Sequence, residues 1–103
     1  MKLNVYERLV LLGVIPGQGD LATLRILFEL RMRIAFPEQE SEALNLRIDG
    51  AEWKWNKDAD QNRDIEIGPR GQRIIIDAFE ALDKNKALTL QQLPVYERFI
   101  QPE

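Results

Sequence analysis

The chain has neither cysteine nor histidine. Without cysteine there is no disulfide, no thiolate nucleophile and no cysteine-based zinc site. Without histidine it lacks the commonest general base near neutral pH and the commonest transition-metal ligand. Ser41 is the only serine, and no such base stands ready to activate it. Long apolar runs are missing as well: none approaches the roughly 18 residues that a membrane-spanning helix needs. The opening segment is too polar for a secretory leader, because Asn4, Glu7 and Arg8 interrupt it and the apolar run Leu9–Leu12 is short. The formal net charge is −3, so no basic surplus points to a mainly electrostatic nucleic-acid binder. These absences argue for a non-enzymatic protein with no cofactor and no membrane span.

What is present suits one globular domain over residues 1–103. Hydrophobic residues make up 45% of the chain and charged residues 30%, enough for a single modest core. The richest stretch is Leu21–Phe36. On a helix, Arg25, Glu29 and Arg33 form one narrow polar ridge, four residues apart. Ile26, Leu27, Leu30 and Ile34 flank it on one side, and Leu21, Leu24, Phe28 and Met32 on the other. A helix apolar over so much of its circumference is expected to be enclosed by neighbours within the monomer. Arg31 lies inside the apolar arc, where an unpaired buried charge is costly. Glu7 and Glu97 are its expected partners.

The remaining segments read as covers for that helix. Asn4 and Glu7 have capping-box spacing, opening a helix over about Val5–Leu12 that Gly13 stops. The loop Val14–Gly19 is glycine-rich but lacks the spacing and the Lys-Ser/Thr ending of a phosphate loop. Asp20 caps the central helix and Pro37 ends it. A short acidic helix, Glu38–Leu44, follows with a solvated face.

From Leu44 the apolar period changes to two, and Asp49-Gly50 lies between the alternating segments. The implied register sets Ile48 against Ala51, Arg47 against Glu52, Leu46 against Trp53 and Leu44 against Trp55. Trp53 and Trp55 share a face, expected to cover the helix, with single-stranded nucleic-acid stacking as the alternative. Ile65 and Ile67 suggest a third strand. Pro69–Lys84 reads as the last long helix, Thr89 and Gln92 as a second capping box, and Val95–Ile100 as final helical turns.

The architecture expected is therefore α+β: four or five helices around a central buried helix at about 20–36, with a two- or three-stranded antiparallel sheet at about 44–67. Val5-Tyr6-Glu7-Arg8 recurs as Val95-Tyr96-Glu97-Arg98. The two terminal helices are accordingly expected to pack against opposite ends of the central one. Candidate contact residues are Arg31, Tyr6, Tyr96, Arg70 and Arg73. The last two share a face at a helix start, with Glu66 or Asp77 as expected ion-pair partners.

One acidic stretch carries a metal alternative. Asp58, Asp60, Asn62 and Asp64 alternate as calcium ligands do in a short loop. Arg63 stands where that loop needs glycine, and Pro69 where it needs a bidentate glutamate.

Several segments together resemble a group of small phage and prophage proteins of unknown function. They are LNVYERLVLLG at the start, Trp55-Asn56, Asp64-Ile-Glu-Ile-Gly68, and Tyr96-Glu97-Arg98-Phe99. The resemblance implies a phage-encoded origin, placing the protein in the cytoplasm of a host cell or in the virion. The function expected is a protein-interaction or assembly module with a phage or host protein partner, or a homo-oligomer; a calcium-binding regulatory domain or a Trp53/Trp55 nucleic-acid module is the alternative.

Overall fold

The computed structural model describes residues 1–100. The order is β1 (Lys2–Leu3), α1 (Val5–Val14), α2 (Leu21–Ile34), α3 (Glu38–Leu44), β2 (Arg47–Asp49), β3 (Glu52–Lys54), a 3-10 turn at Lys57–Ala59, β4 (Arg63–Asp64), α4 (Gly68–Lys84) and α5 (Leu93–Phe99). Five helices and short antiparallel pairs make an α+β protein. The core joins Leu3, Leu11, Leu27, Leu30, Ile34, Ile65, Ile75, Phe79, Val95 and Phe99. α1 packs against α2, α4 and α5, and α4 against α2 and α5. Gly71 lets α4 approach α2 closely, since a β-carbon there would lie 3.2 Å from Leu30 Cδ1.

α1 starts as its capping box requires: Asn4 Oδ1 accepts from the Glu7 amide at 2.8 Å, and Glu7 Oε1 from the Asn4 amide at 2.9 Å. It does not stop at Gly13. The helix runs on to Val14, because Val14 and Ile15 are both buried in the core. Burial outweighs the glycine's small local preference for a stop.

The α2 helix is only half enclosed. Leu27, Leu30 and Ile34 are buried, while Leu21, Phe28 and Met32 are 67%, 67% and 65% exposed and Leu24 is 39% exposed. The expected enclosure fails because the hairpin, offered as one of its covers, lies elsewhere. Neither β2 nor β3 has a buried residue, and Trp53 is itself exposed.

That hairpin also has another register. Ile48 lies opposite Trp53, Arg47 opposite Lys54 and Asp49 opposite Glu52. Gly50 and Ala51 form the turn, with φ at +67° for Gly50 alone. A two-residue turn with glycine first suits the twist of the strands, and alanine is tolerated second. The like-charge pairs this creates are eased by a diagonal ion pair, Lys54 Nζ to Asp49 Oδ2 at 3.0 Å. On an exposed hairpin, cross-strand charge matching was too weak to select register. The third strand pairs with the N-terminus, not with the hairpin: Lys2 lies opposite Asp64 and Leu3 opposite Arg63. Ile65 and Ile67 follow it into the core.

The terminal echo is used asymmetrically. α1 and α5 pack against each other rather than at opposite ends of α2. Glu7 pairs with Arg98 at 2.5 Å, and Arg98 also donates to Lys2 O at 2.9 Å. Arg8, by contrast, is 0% exposed. Its Nε donates to Ile34 O at 2.9 Å, its Nη2 to Ala35 O at 2.8 Å and to Glu40 Oε1 at 3.0 Å, and its Nη1 to Glu40 Oε2 at 2.5 Å. The guanidinium also lies over the Phe36 ring, 3.9 Å from its centroid. Glu40 thus turns inward from the acidic helix, and it accepts from Arg63 at 2.6 Å as well.

The Arg8 hydrogen bonds, and then the charges of Arg8 and Arg63, hold the Glu40 carboxyl below the ordinary glutamate range. A depressed folded-state value stabilises the fold above the unfolded pKa of about 4.3. That stabilisation is lost as pH falls through the lower folded value. Glu40→Ala, which leaves Arg8 buried without its anion, is expected to cost on the order of 3 kcal/mol in urea denaturation at pH 7. The deficit should shrink toward pH 3. A pH-independent deficit would remove Glu40 ionisation from the account.

Candidate functional site

The exposed flank of α2 stands out because four large apolar side chains are exposed along one helix face. Asp20 fixes where the helix begins: its Oδ1 accepts from the Thr23 amide at 2.8 Å. That bond, followed by the Thr23 hydroxyl, lowers the Asp20 pKa and keeps an anion at the positive helix end. At the other end the chain leaves the helix through Ala35, two residues before Pro37. Between these stops, Leu21, Leu24, Phe28 and Met32 recur at spacings of three or four along one face, about 16 Å in length. Arg25 and Glu29 border this stripe on one side and Arg31 on the other.

Beside the stripe lies a cleft of about 510 Å³, lined by Pro16, Gly17, Leu24, Leu27, Phe28 and Arg31 among others. The loop after α1 forms one wall and α2 the other. Arg31 is exposed and spans the gap, its Nη2 3.4 Å from Ile15 O. It makes no pair with Glu7, which is held by Arg98. Arg31, expected to be a buried charge, is exposed, and the buried arginine is Arg8. The signal that could have found it was the stripe Val5, Arg8, Leu11 and Val14 at intervals of three, all buried, with one charge in it.

The other candidate contact residues are spread over the molecule. The Tyr6 hydroxyl donates to Gln91 O. Tyr96 meets Phe79 edge-on, with centroids 5.6 Å apart. Arg73 pairs with Asp77 at 2.9 Å, one of the two partners expected for it. Arg70 is exposed and lines a shallow cleft with Glu29, Arg33 and Gly71.

The acidic loop is dispersed in the same way. Asp60 accepts from the Val5 amide at 3.2 Å and from the Trp55 indole at 3.3 Å. Asp64 pairs with the Met1 amino group at 3.0 Å. Among the described residues, no three acidic side chains converge as a metal site would require. Trp55 is half-buried, with Lys57 Nζ 5.6 Å from its ring. Trp53 therefore stands apart as the open ring of the intended pair.

No protein-family model, curated protein or solved structure matches this chain. Among the described residues, no helix is long and apolar enough to cross a membrane.

The unequal setting of the two indoles is measurable. Acrylamide should quench the wild-type tryptophan emission in two components, and Trp53→Phe should remove the more accessible one. A single quenching constant, unchanged by that substitution, would contradict the hairpin placement.

Proposed function

We propose that this chain is a non-enzymatic protein-interaction module of phage type, and that the exposed flank of α2 is its contact surface. The observation that carries the reading is that four of the exposed large apolar side chains, Leu21, Leu24, Phe28 and Met32, fall in one run along α2, whereas Ile48, Trp53, Leu90 and Leu93 are exposed elsewhere. A contiguous apolar patch bordered by charge is the usual mark of a protein contact. Cleft and stripe together offer a wall, a groove and large side chains, among them an aromatic anchor.

Other features support interaction over chemistry. Glu40, whose pKa is lowered by its surroundings, is bound to two arginines and held ionised. Such a group is a poor proton acceptor at neutral pH. The acidic loop commits Asp60 and Asp64 to an amide, the indole and the terminal amine, which weighs against calcium. An assembly component and a host-directed factor both fit this surface, and the resemblance to small phage and prophage proteins of unknown function supplies the phage-type part of the reading.

The test is to make the face polar. Leu24→Ser/Phe28→Ser/Met32→Ser should shift the melting temperature by no more than about 5 °C, because exposed substitutions are individually near-neutral. Chemical cross-linking in expressing cells should lose every partner of the wild-type chain, the chain itself included. A melting temperature lowered far beyond that margin would mean the face is covered by the protein's own chain. An unchanged set of cross-linked partners would move the contact surface elsewhere.

A further inference from the structure

The flank of α2 is complementary to itself. We infer that its occupant is a second copy of this chain, packed as an antiparallel α2–α2 pair about a two-fold axis near residues 26 and 27. The inference rests on the interaction reading above and names its partner.

The first argument is geometric. Leu21 and Met32 are centred between residues 26 and 27, Leu24 and Phe28 on residue 26, and Arg25 and Glu29 on residue 27. A two-fold axis at that point lays Leu21 of one copy over Met32 of the other, and Leu24 against Phe28. A two-fold interface repeats each contact, so both ends of the stripe are covered at once. Arg25 and Glu29 lie on the same side of the stripe, and the axis keeps that side facing itself. Arg25 of one copy then meets Glu29 of the other, twice. Within the chain, among the described residues, neither has an ion-pair partner. Across the axis each gains a second opposite charge, beside the one four residues away on its own helix. Arg31 lies on the other side, four to five residues from the axis, so the two Arg31 side chains are about 14 Å apart along the helix direction.

The second argument is area. The chain exposes 7307 Å², whereas a compact monomer of 12.0 kDa exposes roughly 6,000 Å². Its radius of gyration is 14.0 Å, against about 13 Å for a compact chain of this length. The exposed side chains of Leu21, Leu24, Phe28 and Met32 contribute to that surface, as do those of the hairpin. A pair of helices 14 residues long overlaps over about 21 Å. The partner's Phe28 then falls beside Leu24, at the mouth of the Pro16–Gly17 cleft.

The native lack of cysteine gives a clean experiment. In the double variant Leu21→Cys/Met32→Cys the two thiols lie about 16 Å apart along one helix, too far to join within a chain. Antiparallel pairing brings the thiol at position 21 of each copy against the thiol at position 32 of the other. Mild oxidation of the purified full chain should therefore yield a covalent dimer closed by links between positions 21 and 32, identified by peptide mass. Links joining position 21 only to position 21 would overturn the antiparallel arrangement. Wild-type protein should sediment as a dimer at about 100 µM. Arg25→Glu and Glu29→Arg should each raise the dissociation constant about tenfold or more, and the double swap should restore it. A wild-type chain that stays monomeric at this concentration would overturn the second-copy inference. The interaction reading itself would still stand or fall on the polar-face variant. Dimers unaffected by either single swap would place the seam on another surface.

Discussion

The fold depends on one buried cation. The Arg8 guanidinium takes up the carbonyls of Ile34 and Ala35 as α2 ends, and pairs with Glu40 on α3. The last carbonyls of any helix lack partners within it. Here they are satisfied by a side chain from a different helix, and its positive charge suits the negative helix end. α1, α2 and α3 are thereby fixed to one another at a single point, and Glu40 extends the link to Arg63 on β4. A buried charge tolerates no half-measures, since a missing partner costs more than the pair contributes. No buried side-chain polar atom among the described residues lacks a hydrogen bond, and Arg8 shows how that condition is met at the most demanding position.

With that junction fixed, α2 cannot roll to bury its second apolar flank. Its core side is set by Leu27, Leu30 and Ile34, and its end is held by Arg8. The exposed flank is thus a consequence of how the helix is anchored. Gly71 strengthens the same constraint by bringing α4 against Leu30.

Local chemistry was the part of this structure most legible in the sequence. The capping boxes at Asn4–Glu7 and Thr89–Gln92, the Asp20 cap and the helix after Pro37 all rest on interactions within four residues. The structure departs from the sequence reading where burial, turn geometry or a distant segment decides. Gly13 was outvoted by the burial of Val14 and Ile15, and the hairpin register by its turn geometry. Strand β4 chose the N-terminus, a partner far away in sequence that alternation of apolar residues cannot name. The exposed flank of α2 was hidden for a different reason. A helix with two apolar flanks reads as doubly buried, and only the placement of its neighbours reveals which flank remains open. Arg8 was legible only through the three-residue spacing of Val5, Arg8, Leu11 and Val14, while its partners Ile34, Ala35 and Glu40 lie on distant segments.

The closing contacts have a consequence for how this molecule comes into being. Tyr6 bonds to a carbonyl 85 residues later, and Glu7 to an arginine 91 residues later. β1 has no strand to join until β4 exists. During synthesis the first helix can form early from its own capping box, yet its packing surface stays unmatched while most of the chain is still being made. Contacts of such long range delay folding, because the loop must close before they contribute. The nascent chain therefore passes through a stage in which α1 and α2 are both present and α5 is not. In that interval the apolar surface of Leu11, Val14 and Leu30 is open to any neighbour, and chaperones or adjacent nascent copies meet the protein first in that unfinished form.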